Sequence, residues 1–283
     1  MDILQKLNAL RRRDPVVSVV RLVGVIGDAR PVGRSLNLRG VAGQLEAAFS
    51  GRRVKAVAVV INSPGGSPVQ SDLIQKRIRD LAREKNKPVT VFCEDVAASG
   101  GYWIALAGDE IYANASSIIG SIGVISAGFG FEEAIAKLGI ERRLHATGEK
   151  KGMLDPFQAE NPAHVEHLRA LHGDIFQRFQ DWVRERRGER LKGDPEDLFS
   201  GAFWTGGKAL ELGLIDGLGD LRSVMRERHG ENVKFRFHAP RQGLLSRLGL
   251  RPAGASAPAD GGTWAEDLLA GIEARSLWSR FGL

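Results

Sequence analysis

The stretch Val54-Lys-Ala-Val-Ala-Val-Val-Ile61, followed by Asn62-Ser-Pro-Gly-Gly66, decides the fold class. Its first part is almost continuously apolar and rich in β-branched residues, which is typical of a strand buried on both faces. Its second part predicts a tight turn. A helix follows through Arg83, because Ile74 and Ile78 are spaced to lie on one helical face. This order is typical of the repeating strand–turn–helix unit of an α/β protein: a buried strand, a glycine turn and an amphipathic helix.

The same alternation continues on both sides of this unit. Further strands are predicted at residues 16–23, 88–93 and 110–113, with a strand-like stretch at 141–146. Helices are predicted at 41–49, 99–107, 131–138, 161–187 and 208–212, the last closed by Gly213. Glycine and serine crowd residues 116–130 and predict tight turns. The sequence therefore predicts a mostly parallel sheet covered by helices on both faces.

The composition is that of a folded globular protein. Of the 283 residues, 43% are hydrophobic and 26% are charged, which is close to the average and excludes wholesale disorder. No run approaches the ~18 apolar residues of a membrane span, and the first residues lack the apolar core of a secretory signal peptide. The single cysteine, Cys93, cannot form an intrachain disulfide, which favours a reducing compartment such as the cytoplasm.

Three regions are expected along the chain. Residues 1–15 contain a short amphipathic helix, residues 16–240 form the main domain, and residues 241–283 comprise a linker and a C-terminal amphipathic helix. Two interpretations of the terminal helices stay open. They could contact an anionic membrane surface peripherally, or pack on the body or on a neighbouring subunit.

The charge is basic but dispersed. Forty Lys and Arg residues stand against 34 Asp and Glu residues, which gives a net charge of +6. The basic residues are interspersed with acids, as in residues 184–190, so a solvated surface is favoured over a nucleic-acid site. We therefore expect no nucleic-acid partner.

Two glycine turns are the places where chemistry could occur. In the first, Gly65 and Gly66 lead from a strand into a helix, so backbone N–H groups are presented without an obstructing side chain. Such groups can bind a phosphate or form part of an oxyanion hole. The alternative is a simple strand-to-helix connection.

The second turn, Asp95-Val-Ala-Ala-Ser-Gly-Gly-Tyr102, contains Ser99. Small residues precede this serine and glycines follow it, so its hydroxyl could stand exposed at a sharp turn. The N–H of Gly100 would then point towards the group that Ser99 attacks, as a nucleophile requires. The alternative is that Ser99 serves only as the N-cap of the next helix.

A serine nucleophile needs a base, and the sequence offers two kinds. None of the six histidines stands out, since four sit in charged helical stretches and His145 has no acidic neighbour in sequence. Lysine is the base of Ser–Lys enzymes, and Lys150 and Lys151 follow the predicted strand at 141–146. The alternative for the two lysines is a solvated loop.

Together these motifs resemble the signal peptide peptidase A family of Ser–Lys peptidases, within the ClpP/crotonase superfamily. The resemblance covers residues 16–220 approximately, and implies a ClpP/crotonase-like α/β fold of repeated ββα units, followed by a helical tail. It rests on the two turns quoted above, on Gly120-Ser-Ile-Gly123, on Gly148-Glu-Lys-Lys-Gly-Met-Leu-Asp-Pro-Phe157 and on Ala209-Leu-Glu-Leu-Gly-Leu-Ile-Asp216.

The resemblance implies roles for the matching positions. Ser99 would be the nucleophile and Lys151 the general base. Lys151 stands at the family's spacing from the flanking glycine and proline, while Lys150 stands where relatives usually have tyrosine and is the other candidate. Ser121 would hydrogen-bond to the lysine and orient it. The expected activity is that of a serine endopeptidase.

The glycine turns complete the implied site. Gly65 and Gly100 would supply the N–H groups of the oxyanion hole, with Gly66 shaping the turn. A lysine base must be neutral, so its pKa has to fall from ~10.4 to about 7–8, which burial without a counter-ion provides. No metal or other cofactor is expected.

The resemblance also implies a homo-oligomer with active sites at subunit interfaces, in which Lys151 acts on the serine of a neighbouring copy. The implied substrates are unfolded or short apolar peptides, such as cleaved signal peptides. Two other functions remain open. One is a catalytically silent oligomeric scaffold. The other is a crotonase-type acyl-CoA enzyme, which would keep the oxyanion hole without needing Ser99.

Overall fold

A mixed, mostly parallel eight-stranded sheet forms the centre of the fold. The computed structural model describes residues 14–27, 36–148, 150–239, 271–272 and 275–282. The strands are β1 (Val16–Val23), β2 (Val54–Ser63), β3 (Val89–Ala98), β4 (Glu110–Ala113), β5 (Ile118–Gly120), β6 (Phe203–Thr205), β7 (Gly217–Leu218) and β8 (Lys234–His238). Their order is β6-β5-β3-β2-β1-β8, with β4 between β3 and β7 on a branch. All pairs are parallel except β5–β6.

Helices follow the strands, as the sequence predicts. They are α1 (Leu38–Phe49), α2 (Pro68–Lys85), α3 (Gly100–Ala105), α4 (Glu132–Lys137), α5 (Pro162–Arg187), α6 (Pro195–Leu198), α7 (Gly206–Glu211) and α8 (Leu221–His229). Side chains of β1 alternate between two cores: Val20 and Leu22 join the large core under α1, α2, α3 and α5, while Val17 and Val19 join a smaller core with α8. The predicted α/β class, with helices on both faces, is confirmed.

Strand β3 changes partners along its length, and this positions the site. Its first half pairs with β4, from Thr90 to Cys93, and its last residues pair with β5, where Ala98 is opposite Gly120. Between the two halves its register against β2 shifts, so that Ser63 is opposite Ala97. The end of β3 is therefore held between β2 and β5 at one edge of the sheet.

Two sequence expectations need comment. Residues 141–146 form no strand. They have no partner strand among the described residues and every one of them is exposed, and an isolated strand would leave its backbone N–H and C=O groups without hydrogen-bond partners from the protein. The predicted helix at residues 1–13, the linker at residues 253–262 within the C-terminal region, and the start of the C-terminal helix lie outside the described residues, although residues 275–279 are helical. The three-region division and the peripheral membrane contact therefore stay predictions.

Candidate active site

Ser99 joins the end of β3 to the start of α3 in a backbone conformation that only a constrained residue adopts. Its φ is 51° and its ψ is −122°, a region that costs a non-glycine residue about 1–3 kcal/mol. The N–H of Ser99 donates to Gly120 O at 2.8 Å, and its carbonyl accepts from Trp103 N at 3.0 Å. Two neighbouring elements therefore hold the turn in place.

The Ser99 side chain does not cap the helix that it precedes. It occupies the N-cap position of α3, but its hydroxyl accepts no hydrogen bond from the first turn. An N-cap serine stabilises a helix through that bond. The interpretation of Ser99 as merely an N-cap is therefore wrong, and the half-buried hydroxyl is left for another use.

The Gly65–Gly66 turn packs directly against Ser99. A Cβ atom added to Gly65 would lie 2.8 Å from the Ser99 Cβ, and one added to Gly66 would lie 2.0 Å from Ile26 O. Both glycines also have positive φ, of 105° and 136°. Any side chain at Gly65 or Gly66 would displace the backbone, so the turn can approach the serine only because both positions are glycine.

The geometry distinguishes the candidate oxyanion donors. The N–H of Gly65 is buried and donates to Ser63 Oγ at 3.2 Å. The N–H groups of Gly66 and Gly100 have no acceptor among the described residues, and a Cβ added to Gly100 would lie 3.4 Å from Gly66 N. The N–H of Gly65 is therefore engaged in this structure, while those of Gly66 and Gly100 are not; the donor role that the sequence assigned to Gly65 and Gly100 stays a prediction.

Ser121 directly follows the neighbouring strand β5, as Ser99 follows β3. Since Ala98 is opposite Gly120, the two serines follow paired residues, and Ser121 has the same unusual φ of 51°. It is 6% exposed, and its N–H donates to Ala202 O at 2.7 Å. The edge of the sheet thus brings together both serines and both glycine turns.

Asn62, to which sequence reasoning gave no role, fastens the ends of β2 and β3. Its Nδ2 donates to Asp95 Oδ2 at 2.6 Å, and its Oδ1 accepts from Val96 N at 3.3 Å. These bonds span the register shift just before Ser99. The signal in the sequence was the amide side chain directly before the Ser-Pro-Gly-Gly turn.

Lys151 is not part of this cluster in the single chain. It lies in a turn within residues 125–160, here called the arm, and its side chain is exposed. Lys150 beside it is exposed too. Among the described residues, Ser126 Oγ to His172 Nε2 at 2.7 Å is the one hydrogen bond, ion pair or ring contact that joins the arm to the rest of the chain.

The arm exposes an unusual amount of apolar surface. Eight of its large apolar side chains are among the exposed ones, and Phe129 and Leu138 are 80% and 73% accessible. The Phe131 ring contacts those of Phe129 and Phe157, with ring centroids 6.2 Å and 5.6 Å apart, but no described residue of the arm is buried. Contiguous exposed apolar surface of this kind marks an interaction site.

Helix α3, which begins after Ser99, is held in place by hydrogen bonds and a ring contact of Tyr102 and Trp103. The Tyr102 hydroxyl donates to Leu214 O at 2.7 Å, and Trp103 stacks on Phe179 with centroids 4.7 Å apart. Trp182 Nε1 donates to Trp103 O at 3.2 Å. These contacts fix α3 against α5, so the position of Ser99 depends on side chains far from the turn.

An ion pair buried below Tyr102 completes this support. Arg187, at the end of α5, donates from Nε to Gly213 O and from Nη1 to Asp216 Oδ2, both at 2.8 Å. Asp216 Oδ2 also accepts from Ile111 N at 2.8 Å. Although burial opposes ionisation of Asp216, the hydrogen bond and charge of Arg187 hold the pKa of its carboxyl below the ordinary value.

Cys93 lies inside the sheet, on β3. The side chain is buried, and burial raises the pKa of its thiol to about 12. It therefore has no part in nucleophilic chemistry. Within the described residues, no three His, Cys, Asp or Glu side chains are grouped as a metal site, and no helix is both long and apolar enough to cross a bilayer.

Three known proteins illustrate what this chain is similar to. The Na(+)/H(+) antiporter NhaA of Brucella abortus (strain 2308) is 52% identical over 276 residues, which are 94% of this chain and 37% of that protein. Protease 4 of Haemophilus influenzae is 32% identical over 216 residues, 75% of this chain and 34% of that protein. A solved structure, a lysine-to-alanine mutant of the 1510-N membrane-bound stomatin-specific protease in complex with a substrate peptide, has 18% identity and a TM-score of 0.48, covering 83% of this chain and 96% of that one.

The chain spans about a third of the length of these two curated relatives. Most of the Brucella protein therefore has no counterpart here. Residues 81–234 match peptidase family S49, which is more than half of the chain, and the matched part contains Ser99, Ser121 and Lys151. The resemblance seen in the sequence motifs is thereby confirmed: the chain belongs to peptidase family S49.

Proposed function

We propose that this protein is a serine endopeptidase in which Ser99 attacks the peptide carbonyl and Lys151 is the general base. The observation that carries the proposal is the conformation of Ser99. Ser99 is half-buried, its hydroxyl makes no capping bond, and the Gly65–Gly66 turn packs against its Cβ, with the N–H of Gly100 next in the chain. A serine held in a strained turn beside free backbone donors is the arrangement that acyl transfer requires.

The proposed reaction has two halves. The neutral Lys151 amine takes the Ser99 proton as Oγ bonds to the carbonyl carbon, and the N–H groups of Gly66 and Gly100 bind the oxygen that becomes negative. The peptide bond then breaks, and the lysine returns the proton to the leaving amine. Water, deprotonated by the same lysine, releases the acyl group from Ser99. Ser121, which follows β5 as Ser99 follows β3, would orient the amine.

Two properties of the arm favour the proposal of an oligomer in which Lys151 acts on the Ser99 of a neighbouring copy. Lys151 is exposed and lacks contacts to the Ser99 cluster in its own chain, while the arm presents apolar side chains with nothing to cover them among the described residues. A second copy seated on the arm would bury both. Burial without a counter-ion would favour the neutral amine that a base requires. An enclosed site of this kind would admit unfolded or short apolar peptides, such as cleaved signal peptides.

Alanine substitution of Lys151 and of Lys150, made separately, tests which lysine is the general base. Lys151→Ala should lower kcat/KM for fluorogenic peptides with apolar P1 residues by about 10²- to 10⁴-fold, the usual contribution of a general base. Lys150→Ala, one position away and equally exposed, should keep wild-type activity. If Lys150→Ala is the inactive variant, the base is Lys150.

Mixing two inactive variants tests whether the lysine acts between copies. Ser99→Ala and Lys151→Ala, co-expressed, should regain about a quarter of the wild-type activity, because random assembly pairs an intact serine with an intact lysine at about one site in four. Light scattering must first show that both variants assemble as the wild type does. No recovery in a verified mixed assembly would place both residues in one chain. An assembled wild type that cleaves no peptide in a broad set would favour the silent scaffold.

A further inference from the structure

Ile26 contacts both of the glycines whose N–H groups are the proposed oxyanion donors. It lies three residues after the end of β1, is 2% exposed and forms a parallel bridge with Gly66. Its N–H donates to Gly65 O at 2.8 Å, and its carbonyl accepts from Ser67 N at 2.8 Å. Hydrogen bonds to one residue therefore hold the chain on either side of Gly66.

These hydrogen bonds fix the direction of the Gly66 N–H. The Gly65 carbonyl and the Gly66 N–H belong to one trans peptide group, in which the C=O and the N–H point in opposite directions. Because this carbonyl points towards Ile26 N, the N–H is directed away from the Ile26 backbone. Gly66 N would lie 3.4 Å from a Cβ atom added to Gly100, so the donor stays close to the nucleophile turn.

The side chain of Ile26 contacts the second donor residue. A Cβ atom added to Gly100 would lie 3.2 Å from Ile26 Cδ1, so this methyl group packs against Gly100. The same added atom would lie 2.4 Å from Ser71 Oγ, so α2 encloses Gly100 from another direction. The terminal methyl of Ile26 thus limits how far the Gly100 N–H can move relative to that of Gly66.

The Ile26 backbone is itself held by a second neighbour. Leu36, which is 4% exposed, forms a parallel bridge with Ile26 as Gly66 does. Its N–H donates to Val25 O at 2.9 Å, and its carbonyl accepts from Gly27 N at 3.0 Å. Ile26 is therefore the middle member of a three-stranded ladder, in which hydrogen bonds on both sides resist a shift of its position.

We propose that Ile26 is the positioning residue that sets the spacing between the two oxyanion donors. Its backbone directs the Gly66 N–H, and its Cδ1 methyl holds Gly100 in place. An oxyanion hole lowers the barrier only when its donors are already placed where the charge develops. The expected effect on rate rests on the proposed function, whereas the placement of the two N–H groups does not.

Removal of methyl groups from Ile26 tests its effect on catalysis. Ile26→Val, which lacks Cδ1, should lower kcat about tenfold, and Ile26→Ala should lower it about 10²-fold, because small misplacements of catalytic groups have effects of this size. KM should stay within about twofold, since the donors act in the transition state. Ile26→Val keeps the test possible if Ile26→Ala does not fold.

Ile78→Val is the matched control. Ile78 is fully buried in the same core, on α2, and loses the same methyl group, so this variant should keep the wild-type kcat. An equal fall of kcat in Ile26→Val and Ile78→Val would overturn the proposal, because general loosening of the core would then explain both.

A peptide boronic acid separates the oxyanion donors from substrate binding. The Ser99 oxygen adds to the boron and its proton passes to the base, which gives a tetrahedral anion with an oxygen at the oxyanion position. Ile26→Ala should weaken this inhibition by about the factor by which it lowers kcat/KM. The Kd of the corresponding uncleaved peptide, measured in the Ser99→Ala background, should change less than about twofold. An unchanged boronate affinity in a slower Ile26→Ala enzyme would contradict the proposal.

Amide spectra of protein labelled with ¹⁵N-glycine test the placement without any activity. The Gly66 and Gly100 resonances, identified by ¹³C-carbonyl labelling of the preceding glycine or serine, should both shift in Ile26→Val and stay unchanged in Ile78→Val. If the wild type neither hydrolyses peptides nor binds the boronate, the proposed function fails, while shifted resonances still support the placement. Unshifted resonances in a folded Ile26→Val protein would overturn the placement whatever the activity.

Discussion

Ser99→Ala should abolish peptide hydrolysis, with kcat/KM reduced by about 10⁴-fold or more, because removal of the nucleophile leaves only binding and the oxyanion donors. The measurement is the initial rate on fluorogenic peptides, with light scattering to confirm assembly. Ser116→Ala, an exposed serine between β4 and β5, is the matched control and should retain full activity.

The same variant should remain folded. The Ser99 hydroxyl makes no capping bond, and alanine at this position has the same φ of 51° to adopt, so the thermal midpoint should change little. A folded, assembled Ser99→Ala protein that still cleaves peptides would show that the nucleophile is another residue. If it also bound an acyl-CoA ester, the crotonase-type function would become the better explanation.

Arg187→Met should have the largest effect on stability, lowering the free energy of unfolding by about 3–5 kcal/mol. The Arg187 side chain is 2% exposed, and its loss would leave a mostly buried Asp216 carboxylate without its buried cation and the Gly213 carbonyl without its donor. The measurement is the urea midpoint at fixed protein concentration. Since Arg187 ends the helix that supports α3, part of the peptidase activity should be lost as well.

Arg190→Met is the matched control for this prediction. Arg190 contacts the other oxygen of the same carboxylate at 3.2 Å, but its side chain is 49% exposed. Exposed ion pairs contribute about 0–1 kcal/mol, so this variant should be almost as stable as the wild type. If Arg187→Met and Arg190→Met lowered the free energy of unfolding equally, burial would not determine how much each ion pair contributes to stability.

The Arg187 contribution should also depend on pH. Because the pKa of Asp216 is lowered in the folded state, the stabilisation is fully present above the unfolded value of ~3.9 and is lost as the pH falls through the folded value. The difference in urea midpoint between wild type and Arg187→Met should therefore be constant above about pH 5 and shrink below about pH 4. A difference that stays constant down to about pH 2 would contradict this account.

The core of the fold was predictable because its signals are local. Strands β1 to β3 are apolar and rich in β-branched residues. The predicted positions of β1, β2 and β4 agree with the structure to within two residues, whereas β3 continues to Ala98, five residues beyond its predicted end at Cys93. Strands β5 to β8 were missed. They have two to five residues each, and Ile118–Gly120 is a strand only because β3 and β6 flank it. At 141–146 the local pattern was misleading, since no partner strand is present among the described residues.

The site was predictable in part for the same reason. Glycines and serines at fixed offsets predicted the two turns, and the parallel sheet brings their strand ends to one edge. The hydrogen bond from Gly65 N to Ser63 Oγ, on which our proposal of Gly66 as oxyanion donor rests, is indicated by no sequence pattern. The Arg187–Asp216 pair joins residues 29 positions apart and left no local signal. Assembly through the arm stays a prediction.

The burial of Cys93 has a practical consequence for labelling. It is the single cysteine of the chain, and its thiol is both shielded by the sheet and hard to ionise, so maleimide and iodoacetamide reagents should leave the native protein unmodified. A cysteine introduced on the exposed arm, for example at Lys137, would then be the one reactive thiol. Donor- and acceptor-labelled preparations could be mixed to follow subunit exchange by energy transfer without first removing a native cysteine.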